Sequence, residues 1–213
     1  LSGNTLHYFW VRSNCTTEQT SWVGTPFTTQ LVVPAPYNEG FATTTAPAGY
    51  GGNMTYGSST GAGGNPGNTV YRNLYSSVTT SNFTTVNIGP VTAAHVLSFD
   101  YRLADFAAPY APPAAGSGNY VVEISTDYGA TYSTLETVTN DAVAGWRTKS
   151  YPMTSYAGQN IKVRITGNWV SGDYYLAFDN IKVVEACSGT PTGGTAAPAS
   201  QSTCATLPVA AIT

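Results

Sequence analysis

The stretch Gly172-Asp173-Tyr174-Tyr175-Leu176-Ala177-Phe178-Asp179-Asn180-Ile181-Lys182-Val183 decides how the rest of the chain is read. Leu176 and Phe178 alternate as the core residues of a half-buried strand do, and so do Ile181 and Val183, yet the two pairs are out of phase by one position. A strand keeps both pairs on one face only by inserting an extra residue where the parity changes, at Asp179-Asn180. The spacing therefore predicts a β-bulge, a device that re-aims side chains, and makes Asp179 the most informative carboxylate in the sequence.

The same period of two recurs upstream. His95, Leu97, Phe99, Tyr101 and Leu103 fall on one face of a core strand. Short strands are expected at 69–75 and 84–88, and strands at 120–124, 131–138 and 146–151 read as a meander. Ile161, Val163 and Ile165 oppose Lys162, Arg164 and Thr166 on a strand with one wet face. With only 9% charged residues, 22 glycines and 15 tyrosines, the composition also favours strands and turns over helices. The fold class expected is all-β, a sandwich.

Two closely spaced prolines, Pro34 and Pro36, interrupt ladder hydrogen bonding and mark a boundary. Residues 1–33 then read as the end of a preceding β-sandwich module, 34–185 as one domain, and 186–213 as a linker leading into a further module. Strand-like residues from Tyr8 to Arg12 predict that the sequence is a piece of a longer precursor. Two long loops interrupt the domain: a glycine-rich one at 46–67 and a proline-rich one at 105–118. Phe106 and Tyr110 in the second are either exposed contact residues or fold back over the sandwich edge.

Charge and motifs exclude several functions. A net charge of -3 and a pI near 5.2 supply no basic field for nucleic acid. No run reaches the roughly eighteen apolar residues of a membrane span. Gly57-Ser58-Ser59-Thr60-Gly61 matches the G-x-S-x-G pattern but lies among glycines, without the strand and helix that strain a nucleophile. His7 and His95 lack partners at zinc or triad spacing, and nothing selects Asp100, Glu123 or Asp179 as a glycosidase acid and base. No enzyme activity is expected. Cys15, Cys187 and Cys204 suit an extracellular protein, with Cys187 and Cys204 bridged or all three thiols free.

Calcium is the better use for the carboxylates. If the first and last strands of the domain are neighbours, Glu39 and Asp179 tie both ends together through one hard cation, with Asp173 and Asp100 as further ligands. The alternatives are a solvated loop carboxylate at Glu39 and an Asp179 that caps backbone amides at the bulge.

These residues also resemble a family. Leu97-Ser98-Phe99-Asp100-Tyr101-Arg102, Val121 to Thr131 around Ser125-Thr126-Asp127-Tyr128-Gly129, Tyr156 to Val163, and Asp179-Asn180-Ile181 are similar to the MAM-like jelly-roll module called choice-of-anchor J, related to the cleaved adhesin domain of gingipains. The family's opening is matched by Asn38-Glu39-Gly40-Phe41 and Pro47-Ala48-Gly49-Tyr50, with Tyr in place of Trp. Val11 to Cys15 with Ser21-Trp22 and Phe27 to Thr29 resembles the end of a fibronectin type III repeat, and Cys187 to Pro191 with Gly193 to Thr195 and Cys204 the opening of an Ig-like repeat. The resemblance implies a jelly roll inside a giant exported Bacteroidota adhesin on the bacterial cell surface, a class that includes the mobile adhesins of gliding motility. It also implies neighbouring modules and an outer-membrane export or anchoring machinery as partners. Its ligand is then a surface glycan or a protein, and the candidate contacts are Tyr50, Tyr56, Phe106 and Tyr110. The alternative is a carbohydrate-binding module appended to a secreted hydrolase. Aromatic residues clustered on a sheet face favour glycan binding; loop exposure alone favours the adhesin.

Overall fold

The structure is a computed structural model that describes residues 5–15, 18–59, 61 and 63–186. In chain order the strands are β1 (Leu6–Val11), β2 (Val23–Thr28), β3 (Val32–Val33), β4 (Tyr37–Glu39), β5 (Gly51–Gly52), β6 (Thr55–Gly57), β7 (Thr69–Leu74) and β8 (Thr80–Thr84). They continue with β9 (Asn87–Ile88), β10 (His95–Asp105), β11 (Gly118–Ser125), β12 (Ser133–Thr139), β13 (Arg147–Pro152), β14 (Lys162–Trp169) and β15 (Tyr174–Glu185). One 3-10 turn, Thr154–Tyr156, is the only helical element among the described residues.

Two antiparallel sheets face each other. The first runs β13-β10-β15-β7-β6, with β4 also on β15, and the second runs β12-β11-β14-β8-β5. Alternation along the long strands fills the space between them: His95, Leu97, Phe99, Tyr101 and Leu103 are all buried, as the period of two requires. Phe178 is 0% exposed and meets Phe99 of its own sheet and Phe83 and Tyr120 of the other, at ring separations of 5.8, 5.5 and 5.2 Å. That ring is where the two halves of the core join.

The bulge lies where the parity changes. Ser98 pairs with Lys182 but Asp100 pairs with Asp179, so β15 carries one extra residue there. Asn180 absorbs it with φ 51°, a left-handed conformation that asparagine tolerates better than most side chains. Leu176, Phe178, Ile181 and Val183 consequently share the core face. The first strand of the domain does lie beside the last, since Tyr37, Asn38 and Glu39 pair with Val183, Lys182 and Ile181.

Two expectations need correction. The strand expected at 84–88 is split into β8 and β9, because the Thr85 hydroxyl rather than a backbone carbonyl accepts from the Val163 N–H, and the backbone ladder resumes only where Ile88 meets Ile161. The expected meander also breaks: β11 and β12 form a hairpin, but β13 crosses to the first sheet and pairs with β10. A period of two assigns a strand to a face, and it is silent about which sheet carries that face.

Before the sandwich stands the ribbon of β1 and β2. Leu6, Tyr8 and Trp10 lie on one of its faces and Phe9 and Val11 on the other, and all five are exposed, Phe9 at 62%.

Candidate functional site

Two groups of residues on the first sheet merit description. One is the acid cluster at the bulge. Asp179, 1% exposed, accepts hydrogen bonds from the backbone N–H of Asn180 (2.7 Å) and of Asn65 (3.0 Å). Directly across the ladder, Asp100 accepts from the side-chain amides of Asn65 and Asn180, both at 2.9 Å, and from the Thr148 hydroxyl at 2.5 Å. Burial pushes the Asp179 carboxyl up to about 6; the two backbone hydrogen bonds oppose this, and the charges of Asp100 and Glu39 add to it.

Of the four acids expected around a cation, the structure therefore brings Asp179 and Asp100 together and sets Glu39 two positions along on the neighbouring strand, opposite Ile181. Asp173 does not belong with them. It lies six residues before Asp179 on an extended chain, roughly 20 Å away, where it accepts a 2.7 Å hydrogen bond from Asn73. Among the described residues no group of three or more His, Cys, Asp or Glu converges on one point. The donor chemistry still fits a hard cation, because paired carboxylates beside the Asn65 carbonyl are all-oxygen donors and carry uncompensated negative charge. The amide-capping role expected as the alternative for Asp179 is present as well.

The second group is aromatic. Tyr71 on β7 and Tyr175 on β15 point away from the core on diagonal positions of adjacent strands, since Ala177 pairs with Tyr71 and Tyr175 with Asn73. Their rings are 6.0 Å apart, and Phe106 stacks on Tyr175 at 5.6 Å. Phe106 is 49% exposed, and its backbone N–H is fixed to the Asp173 carbonyl at 3.0 Å, so the proline-rich loop holds the ring over the sheet. The glycine-rich loop passes alongside: a Cβ at Gly61 would stand 2.5 Å from the Tyr175 ring and 3.1 Å from Tyr110, which is why the chain needs glycine there. Beyond Tyr71 the face sinks into a depression of about 230 Å³ lined by Thr55, Tyr71, Arg72, Asn73, Tyr75 and Val78.

Phe106 and Tyr110 thus lie beside the outward ring of Tyr175, whereas Tyr50 and Tyr56 do not. Both pack against the core: Tyr50 stacks on Phe83 at 6.4 Å, both rings pack against Phe41, and the Tyr37 hydroxyl donates to that of Tyr50 at 3.0 Å. Burial raises the Tyr56 hydroxyl to about 12 and Tyr50 well above its ordinary range, as expected of rings turned inward. Tyr71 and Tyr175 were missed by sequence reasoning. Their signal is a large aromatic residue at the outward parity of a core strand.

The outer face of the second sheet holds a different depression, about 340 Å³, lined by Asn82, Val121, Glu123, Arg164 and Thr166. Its charges are already paired. Arg164 donates to Glu123 through Nε (2.6 Å) and Nη2 (2.8 Å) and lies 4.0 Å over the Tyr132 ring, covering the aromatic surface there. This placement also removes Glu123 from any carboxylate pair with Asp100 or Asp179.

Solved structures give the fold a context. The sandwich is similar to the K2 cleaved adhesin domain of Lys-gingipain, with a TM-score of 0.50 and 16% identity over 71% of this chain and 99% of that domain. Its fold is a jelly-roll β-sandwich. The K1 cleaved adhesin domain of Lys-gingipain from Porphyromonas gingivalis W83 gives 0.48 at 18% identity (71% and 99% covered), and the xylan-binding domain from CBM 22 gives 0.44 at 12% (73% and 99%). At these identities the likeness is one of fold alone. No protein-family model matches the sequence, and no curated protein matches it either. The Cys187 and Cys204 pairing and the linker lie outside the described residues, and no described helix is long and apolar enough to cross a membrane.

Proposed function

We propose that the chain is a non-catalytic segment of a secreted cell-surface adhesin whose jelly roll binds a glycan through Tyr71, Tyr175 and Phe106. The observation that carries this is the aromatic strip itself: Tyr175 with Tyr71 on one side and Phe106 on the other, on an outward sheet face where burial of the core does not account for them. Flat aromatic faces take up the apolar C–H faces of sugar rings, and the neighbouring Thr55, Asn73 and Tyr75 offer hydroxyl and amide groups for orientation. The same site suits a carbohydrate-binding module appended to a secreted hydrolase, and the two readings share their ligand class.

The finer parts of the proposal rest on other features. A ribbon with apolar side chains exposed on both faces is the kind of fragment that a preceding sandwich module, of the fibronectin type III sort, completes. Neighbouring modules of the same chain, a choice-of-anchor J identity for 34–185, and outer-membrane export or anchoring, including the gliding type, follow from the resemblance of the sequence. Calcium, held by Asp179 and Asp100 with Glu39 at the rim, ties the last strand to its neighbours in this proposal.

A glycan array probed with the whole chain tests the ligand class. The expected result is a saturable hit confined to related sugars and lost in Tyr175→Ala, with an unchanged melting temperature because Tyr175 faces outward. A Tyr175→Ala protein that melts normally and keeps the full signal would contradict the site.

A further inference from the structure

We infer that the strip selects linear over densely branched glycan chains, and that Asn65, two rows away from Tyr175, enforces this by anchoring a wall along one side of that ring. This rests on the glycan-binding proposal and adds the ligand's shape. Register sets out the floor of the site. Across β6, β7, β15 and β10 one outward row reads Thr55, Tyr71, Ala177 and Arg102, and the next reads Asn73, Tyr175 and Ala104 from β7 to β10. On the far side of the first row, at the bulge, Asp179 lies beside Asp100. The two flanks of Tyr175 differ. Thr55 is exposed and Tyr71 and Asn73 are half-buried, whereas Ala177, Ala104 and Asp179 are each 1% exposed although they face outward.

The glycine-rich loop supplies the cover, and its contacts step along the same rows. A Cβ at Gly61 would stand 2.5 Å from the Cδ2–Cε2 edge of Tyr175, and one at Gly63 would stand 3.1 Å from Arg102 Nη1. Asn65 is the fixed end. Its N–H donates to Asp179 (3.0 Å), its side-chain amide donates to Asp100 (2.9 Å), and its carbonyl accepts from Asn180 Nδ2 (3.1 Å). Hydrogen bonds to a carboxylate are the stronger kind, and Asp179 is fully buried, so these three hold the loop against the sheet. Nearer the ring, the Gly63 N–H closes a turn onto the Ser59 carbonyl at 2.7 Å. A sugar stacked on Tyr175 therefore has one edge against packed backbone and the other over the open β7 side. A branch on the walled edge clashes, which is how a site rejects a competitor that shares the preferred ligand's main chain.

The test pairs linear with densely branched oligosaccharides of one main chain: cellohexaose with xyloglucan fragments, mannohexaose with galactosylated mannan fragments, and xylohexaose with arabinosylated xylan fragments. Calorimetry is run on the intact chain and its Asn65→Ala, Thr148→Val and Tyr175→Ala variants. At least one linear member is expected to bind, on the order of ten-fold or more tighter than its branched counterpart. Asn65→Ala leaves the backbone N–H in place but frees the side-chain tether, so the preference should fall to about two- or three-fold. Thr148→Val removes a different hydrogen bond to Asp100 without touching the loop, and should keep the preference. A general loss of stability weakens both members of a pair alike and leaves their ratio unchanged. Tyr175→Ala should lose both ligands. Equal affinity for linear and branched members in the parent, or a preference that survives in Asn65→Ala, overturns the inference while the aromatic site stands. Absence of any glycan binding overturns both.

Discussion

Phe178→Ala is expected to lower the unfolding free energy by about 3–5 kcal/mol, and the melting temperature by roughly 10 °C in a domain of this size. The ring is fully buried and is the contact point of Phe83, Phe99 and Tyr120, so its removal leaves a cavity that neither sheet can close by itself. Urea unfolding of the intact chain measures it. A cost below about 1 kcal/mol would mean that the sheets are joined elsewhere. Phe178→Leu, which keeps much of the volume, should lose markedly less.

The second large effect centres on Asp179. Its folded carboxyl titrates near 6, above the ~3.9 of an unfolded chain, so between those values the native state binds more protons than the unfolded state. Stability of the metal-free protein should therefore fall as pH rises from about 4 to about 6, by on the order of 3 kcal/mol, and stay low above that window. Calcium binding at neutral pH should offset the loss, because a cation between Asp100 and Asp179 removes their repulsion. Thermal melts at pH 5 and pH 7, with excess calcium and with chelator, read both effects. Asp179→Ala should flatten the pH profile and abolish the calcium response. An unchanged melt with chelator, in protein confirmed metal-free by elemental analysis, would leave Asp179 as an amide cap alone; a flat pH profile in the parent would contradict its buried charge.

Where the sequence was informative, it was so through parity. The phase change between Phe178 and Ile181 located the bulge because core-facing residues have no other means of staying inside, and β10 followed from the same rule. What parity cannot supply is pairing. β13 alternates as well against one sheet as the other, and its crossover to β10 depends on how the Asn140 to Trp146 connection rounds the edge. Asp173 and Asp179 are close in sequence, but the chain between them runs extended, so strand rise alone sets them roughly 20 Å apart. The aromatic residues show the limit most clearly. Tyr50 and Tyr56 sit in a glycine-rich stretch with no periodicity, so nothing local says that they turn inward onto Phe83 and Phe41. Tyr71 and Tyr175 become neighbours only because β7 lies next to β15, a pairing across roughly a hundred residues.

The measurement that bears most directly on glycan recognition by the first sheet is a titration of the intact chain with the best array ligand, followed by saturation transfer and shift changes of assigned aromatic ring protons. The expected result is saturable change at Tyr71, Tyr175 and Phe106, with the Tyr132 ring on the opposite sheet unaffected. Saturable change confined to Tyr132 and the residues around Arg164, with the three rings of the strip silent, would contradict it.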